Sequence, residues 1–481
     1  MVKIFQTLLI FITSLLLTAC GGGGGGGGSS GEAVGGGAIP QCSENASYVD
    51  GEYNFMGNGG TYTSTNLYGL GSVCASAAYG RGATGDGQLI AVLDSGISVG
   101  EGTTTDLNQI NSNIATFLTG SDVINSDNVP QDDDNNNNTA LGSGHGSHVA
   151  GLIANEHNNS SFGGHGIAYD ATLHIIKVLD EDGSGSFAQI AAGMDLARGV
   201  SSMDIVNLSL GSSGVIGSTC DSASSCETAL GSTIYTAMEA LGSASIIQVY
   251  AAGNDGNSSP NTLAGAAIYD DDFKETTVIA VAIDSTGNLA SYSDKCGVAK
   301  AICIAAPGSS LYSFFSSNAQ SSYAVDSYAQ SMSGTSQAAP LVSGGLALIK
   351  QEFSSLTNAQ VIDRLLATAL DTGEYSKSTI YGHGLMNLNG ATAAVAKLQT
   401  INGSNLLDDP NTSYYDLAHN SFLSSAAFSN ALNNALAGHT MEVYDSFDRA
   451  NFDVDVNSFF TSGSYTSQNT IENHMARLQP K

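Results

Sequence analysis

Residues Gln88-Leu-Ile-Ala-Val-Leu93, followed at once by Asp94-Ser95-Gly96, read as a short buried strand that ends in a turn. The run is too short for a helix and too apolar for a surface loop. Similar runs recur downstream at Leu173–Leu179, Ile205–Leu210, Ile246–Ala251 and Thr277–Ala282. Between them lie stretches with helical spacing, at Phe187–Ala197 and Thr233–Leu241. Short apolar strands alternating with helices give an α/β fold: a parallel sheet with helices on both faces. Ligands of such sheets gather at the carboxyl ends of the strands. Asp94, Ser209-Leu210-Gly211 and Gly253-Asn254 all sit at such ends. Further helices are expected over Gln337–Glu352, Asn358–Leu370 and Gly390–Gln399, with Tyr381–Asn387 closing the domain.

Three segments carry residues suited to nucleophilic catalysis. They are Ile90–Gly96 with Asp94, Gly144-His145-Gly146-Ser147-His148-Val-Ala-Gly151, and Ser333-Gly334-Thr335-Ser336-Gln-Ala-Ala-Pro340. Serine hydrolysis needs a hydroxyl, a base to take its proton, an anion to orient the base and donors for the developing oxyanion. The order here is Asp, His, Ser, which differs from the orders of chymotrypsin and of the α/β-hydrolases. A fourth segment, Ala251-Ala-Gly-Asn254, ends in a side-chain amide that can donate.

Together these motifs resemble those of the subtilisin-like (S8) serine peptidases over roughly residues 68–398. The resemblance implies a subtilisin-like sheet and a serine endopeptidase. It implies Ser336 as nucleophile, His145 as general base and then acid, and Asp94 as the group that holds the imidazole. Asn254 and the Ser336 backbone N–H are implied as the oxyanion hole. Ser209, Leu210 and Gly211 resemble the strand edge that takes the substrate main chain, binding protein or peptide substrates by β-augmentation. No cofactor is implied for the chemistry, and the family default at P1 is a large apolar residue.

Each residue has a plainer rival. Asp94 could be a strand-end turn residue, Ser336 an N-cap, and Asn254 a turn former in Gly-Asn-Asp-Gly. His148 lies one helical turn from His145, so a metal pair is conceivable; the family gives the second His a structural role. His165 and His383, each in a Gly-His-Gly segment, read as loop residues. Two rival functions stay open. One is a surface-binding passenger with an idle peptidase fold, which has no need of Asp94, His145, Asn254 and Ser336 together. The other is the Ser-Glu-Asp chemistry of the sedolisins, disfavoured by the His in the base segment.

Composition narrows the partners. The chain has 481 residues, 44 Asp plus Glu against 14 Lys plus Arg, and a net charge of −30. Nucleic-acid binding is excluded, since phosphate contacts need clustered basic residues. Strong like charge favours a soluble monomer. The oxygen-rich run Gln131-Asp-Asp-Asp-Asn-Asn-Asn-Asn138 suits a structural calcium or a solvated loop equally, so no metal ligand is assigned.

The N-terminus carries Lys3, an apolar run from Ile4 to Leu17, and Leu17-Thr18-Ala19-Cys20. This is an export signal, and its end resembles a bacterial lipobox, which implies lipidation of Cys20. Residues 1–19 are then a signal peptide, and the protein is exported to the cell envelope as an outer-membrane lipoprotein or to the cell surface. Gly21–Gly28 give a flexible spacer; residues 20–67 read as linker and extension, irregular to about residue 80. Six further Cys in an exported chain favour disulfides. Fifteen pairings are open, and sequence-local choice gives 42–74, 220–226 and 296–303. Residues 399–481 fall outside the peptidase pattern. Ala426–Gly438 looks helical, and Met441–Val456 is similar to the segment that follows the peptidase in subtilase autotransporters, ahead of a membrane β-barrel of about eight or more strands.

Overall fold

A computed structural model describes residues 68–97, 113–132, 144–155, 165–180, 182–314, 329–395, 398–401, 414–416, 440–445 and 447–455. The signal peptide, Cys20, the poly-Gly spacer, Cys42, most of the Gln131–Asn138 run and the Ala426–Gly438 segment lie outside them. Two short helices, α1 (Tyr68–Ser72) and α2 (Ala75–Tyr79), precede strand β1 (Leu89–Asp94). Then follow α3 (His145–Ala154), β2 (Thr172–Lys177), α4 (Phe187–Arg198), β3 (Ile205–Leu208), α5 (Ala223–Leu230), α6 (Ser232–Ser243), β4 (Ile247–Ala251), β5 (Thr277–Ile283) and β6 (Cys303–Pro307). The chain continues through β7 (Leu311–Phe314), β8 (Ala329–Met332), α7 (Thr335–Glu352) and α8 (Asn358–Ala367). No helix among the described residues is long and apolar enough to cross a membrane.

Strands β1 to β6 form one parallel sheet in the order β2-β1-β3-β4-β5-β6. The α/β fold with a helix-covered parallel sheet is thus as expected. Alternation along each strand divides the core in two. Ile90 and Val92 face a layer with Val149 of α3 and Leu346 of α7, while Ala91 and Leu93 face Ile190 of α4 and Leu241 of α6. Both sides are dry, which explains why these strands are uninterrupted apolar runs. Sequence punctuates the helices. Ser186 and Gln189 form a capping box on α4, as do Thr357 and Gln360 on α8.

The structure differs from the sequence reading in three respects. The extension read as irregular to about residue 80 contains α1 and α2, and both are pinned to the core. Tyr68 Oη donates to the Ser309 carbonyl (2.6 Å), and Tyr79 Oη to that of Ile167 (2.8 Å). Helix α5 went unrecognised, as did β6 and the β7–β8 hairpin. The expected Cys220–Cys226 and Cys296–Cys303 disulfides are both present, the first bracketing the start of α5. Cys74 is also disulfide-bonded.

The third difference corrects the expected helix Gly390–Gln399. Helix stops after one turn at Leu388–Ala391, and Leu398–Ile401 is strand β9. The Ala-rich stretch has good intrinsic helix propensity, but its backbone groups are taken by other partners. Arg364 donates to the carbonyls of Ala391 (2.7 Å) and Ala393, and Asp445 accepts the Val395 N–H (2.5 Å). Strand β9 joins a second, antiparallel sheet in the order β10-β9-β11-β12, with β10 (Tyr414–Asp416), β11 (Thr440–Asp445) and β12 (Asn451–Asp455).

Arg364 fastens this second sheet to the first unit. Its side chain is fully buried, ion-paired to Asp448 (2.6 Å) and Asp445 (3.5 Å), and its guanidinium lies 4.2 Å from the centroid of the Phe353 ring. Phe353 in turn meets Phe452 of β12 edge to face. Removing one partner of a buried ion pair leaves uncompensated charge. We therefore expect Arg364→Met to cost about 3–5 kcal/mol in urea unfolding. A loss well under about 1 kcal/mol would show that the hairpin is held by other contacts.

Candidate active site

Asp94 is the last residue of β1, and its side chain is 1% exposed. The turn after it is forced by Gly96, whose φ of +103° suits glycine and whose Cβ, if present, would lie 2.5 Å from the Pro130 carbonyl oxygen. Gly146 packs on this turn even more tightly: a Cβ there would stand 2.2 Å from the Gly96 carbonyl oxygen. The two glycines let the backbones of β1 and α3 touch, and that contact places the first residue of α3 beside Asp94. His145 Nδ1–H donates to Asp94 Oδ1 at 2.7 Å. The Ser95 N–H donates to the same oxygen at 2.7 Å, and the Gly146 N–H donates to Ser95 Oγ at 3.0 Å.

The imidazole is 18% exposed. Burial alone would lower its pKa, but the Asp94 charge, the hydrogen bond to Asp94 and the charge of Asp132 together outweigh it. His145 is therefore held above the usual value of 6.5.

Ser336 is the second residue of α7, where free N–H groups gather. Its hydroxyl donates to the Ser209 carbonyl at 3.1 Å. Pro340, four residues on, lacks the N–H that would normally bond the Ser336 carbonyl. That carbonyl accepts instead from Ser209 Oγ at 2.8 Å, and Asn207 of β3 steadies Ser209 through a 3.0 Å hydrogen bond. Ser209 follows directly on the end of β3, so one residue grips both the hydroxyl and the carbonyl of Ser336.

Asn254 follows β4 beyond Gly253, which has φ +120°. Its Oδ1 accepts from the Thr335 N–H (2.8 Å) and from Thr335 Oγ1 (3.0 Å), which turns the amide nitrogen the other way. A Cβ on Gly334 would lie 3.4 Å from Asn254 Nδ2 and 3.5 Å from the Ser336 nitrogen. Those two donors thus converge on the space beside Gly334. Buried Asp294 holds the Asn254 loop from behind, accepting the N–H groups of Asp255 (3.2 Å) and Asn257 (2.6 Å).

The structure therefore brings Asp94 and His145 into direct contact, and gathers Ser336, Ser209 and Asn254 into a second group. Both groups lie at the carboxyl edge of the sheet. Leu210 is buried there, and Gly211 closes on Asn261, whose Nδ2 would be 2.9 Å from a Cβ at 211. His148 Nε2–H donates to the Leu311 carbonyl (3.1 Å) and ties α3 to β7, the structural role that the family gives the second His. His165 sits among the rings of Tyr79 and Tyr169, and His383 Nε2–H donates to the Ala301 carbonyl. Glu239, Asp270 and Asp272 bring carboxylate oxygens within 4.8 Å of one another, far in sequence from the run considered for calcium. Ser95, Thr335, Asp294, Asp132 and Lys177 were not singled out from sequence. Of these, Asp132 was read only as part of the acidic run 131–138, and Lys177 shows only as the one Lys or Arg of its strand.

Comparison with known proteins identifies the family of this chain. Residues 85–384 match the model of the Subtilase family, Peptidase S8. Subtilisin DY from Bacillus licheniformis is 34% identical over 326 residues, which cover 67% of this chain and 97% of that protein. Subtilisin Savinase from Lederbergia lenta is 35% identical over 325 residues, 68% of this chain and 98% of that protein. Subtilisin E from Bacillus subtilis (strain 168) is 34% identical over 331 residues, 69% of this chain and 72% of that protein. The chain belongs to the subtilase family and is a serine endopeptidase.

Proposed function

We propose that Asp94, His145 and Ser336 form the catalytic triad of an endopeptidase that cleaves proteins outside the cytoplasm. The observation that carries this reading is the 2.7 Å bond from His145 Nδ1–H to Asp94, made on the same sheet edge that presents Ser336 and the Asn254 amide. Asp94 fixes the tautomer, so Nε2 is left as the base. Ser336 turns its hydroxyl from the Ser209 carbonyl toward Nε2 as substrate binds; such bonds commonly tighten only in the Michaelis complex. Oγ then attacks the scissile carbonyl carbon while its proton passes to His145. The carbonyl oxygen becomes an oxyanion, held by Asn254 Nδ2–H and the Ser336 N–H. His145 gives its proton to the leaving amine, and water, deprotonated by His145, cleaves the acyl-enzyme. The residues Ser209-Leu210-Gly211 align the substrate main chain. This chemistry uses side chains and needs no cofactor.

The sequence Leu17-Thr18-Ala19-Cys20 supports export with Cys20 lipidated. The Gly21–Gly28 spacer supports a peptidase standing off a membrane in the cell envelope, and the net charge of −30 supports a monomer.

With casein as substrate, the parent chain cleaves and takes up a serine-directed fluorophosphonate, and Ser336→Ala does neither. A folded parent that neither cleaves nor labels would favour the idle passenger. Asn254→Ala is expected to lower kcat by about 10²–10³-fold, the known cost of removing an oxyanion-hole Asn donor in a subtilisin, with fluorophosphonate access to Ser336 retained. The base must be neutral to act, and His145 is held above 6.5. Activity is therefore lost as pH falls, and kcat/KM reaches half its plateau above pH 6.5; a midpoint below that value would contradict the coupling to Asp94.

A further inference from the structure

Beneath the Asp94–His145 pair lie two buried ionisable groups that the mechanism above leaves unused. Asp132 is 4% exposed and Lys177 is 1% exposed. Lys177 comes from the end of β2, and its Nζ donates to the Ser95 carbonyl at 2.7 Å. Asp132 comes from the segment after Pro130, which runs alongside the turn that follows Asp94. The Asp132 N–H donates to the Ile97 carbonyl (3.0 Å), and the Ile97 N–H to the Pro130 carbonyl (2.8 Å).

Asp132 is tied to both halves of the dyad. On the Asp94 side its N–H bonds the Ile97 carbonyl, and its carboxylate faces the Ser95 hydroxyl. On the His145 side Ser147 Oγ donates to Oδ2 at 3.4 Å. Ser95 fits this role because Oγ accepts from the Gly146 N–H, which leaves the hydroxyl hydrogen free for Asp132. The backbone N–H of Ser95 meanwhile goes to Asp94. Asp132, Ser95 and Ser147 therefore close a loop around the backbone contact of Gly96 with Gly146.

We propose that Asp132 is a positioning residue of the peptidase reaction: it holds the Asp94 and His145 turns together through Ser95 and Ser147, and sets a second negative charge behind the imidazolium. The proposal rests on the assignment of His145 as base.

Bridging two turns needs only a hydrogen-bond acceptor, which Asn supplies without the cost of a buried charge. A carboxylate adds attraction for the imidazolium that forms when Ser336 is deprotonated. The charged groups facing Asp132 are Lys177 from β2, Asp94 from β1 and His145 from α3. Burial pushes its carboxyl up; Lys177 opposes this, Asp94 adds to it, and Ser95 and His145 oppose it, leaving a value of about 7. Asp132 and His145 are both raised and act on one another's charge, so their ionisations are coupled. Coupled groups do not titrate as single ionisations.

The test is the pH dependence of fluorophosphonate labelling and of kcat/KM on a peptide substrate, for the parent, Asp132→Asn and Ser336→Ala. The parent is expected to show an acid limb broader than one ionisation. Asp132→Asn should sharpen it to one ionisation and move it down by roughly half a unit to one unit. A purely structural role for Asp132 would lower the plateau and leave the limb in place, and that result overturns the proposal. If Asp132→Asn fails to fold, the parent decides alone, since a limb that fits one ionisation is equally fatal. Labelling of Ser336→Ala would instead overturn the triad, and is read separately from both.

Discussion

The catalytic edge depends on a backbone contact that only two glycines permit. Any side chain at Gly146 would meet the Gly96 carbonyl at 2.2 Å, and any at Gly96 would meet the Pro130 carbonyl at 2.5 Å. A Cβ at Gly146 would push the β1 turn and α3 apart, and one at Gly96 would displace the Pro130–Gln131 backbone that packs on that turn. A hydrogen bond of 2.7 Å between Asp94 and His145 leaves no room for such a shift. The two residues are 51 positions apart, and each is fixed on the rigid end of an element. Precision therefore comes from main-chain packing first and from side-chain hydrogen bonds second.

A comparable economy governs the nucleophile. Helix α7 runs through the core against the sheet and beside α3, buried along nearly its whole length. A helix so deeply packed offers a rigid N-terminus, but Pro340 deprives its first turn of a hydrogen bond. Ser209 fills that gap from β3, and in doing so couples the position of Ser336 to the strand edge that receives substrate. Thr335 likewise turns the Asn254 amide away from the helix and toward Gly334. The three elements that meet here are non-adjacent in sequence, and the parallel order β1-β3-β4 brings their carboxyl ends together.

What the sequence made legible follows the range of the forces involved. The strands of the parallel sheet were visible as apolar runs because both faces are buried. Candidate residues were visible because each lies inside a local pattern, such as the His-Gly-Ser-His segment at 145–148. Interactions that join distant segments left little trace. Asp132 sits in a run of acids and amides that reads as either a calcium loop or a solvated one, yet its side chain is buried. Helix propensity misjudged 390–399 because Arg364 and Asp445 claim backbone groups there, and no local signal announces a partner that arrives from 27 or more residues away. Segment α5 is short, rich in Ser and tied by a disulfide, so periodicity had little to detect.

Arg364 also shows that the border of a family and the border of a folded unit are different things. The family match ends at residue 384. The guanidinium within that match is satisfied by carbonyls at 391 and 393 and by carboxylates at 445 and 448, all beyond its end. A buried guanidinium stripped of those partners carries the desolvation penalty of an isolated ion. Strands β11 and β12 extend the burial by covering Phe353 with Phe452. The C-terminal hairpin is therefore part of the electrostatic closure of the peptidase core, since α8 cannot keep its one internal cation buried without it.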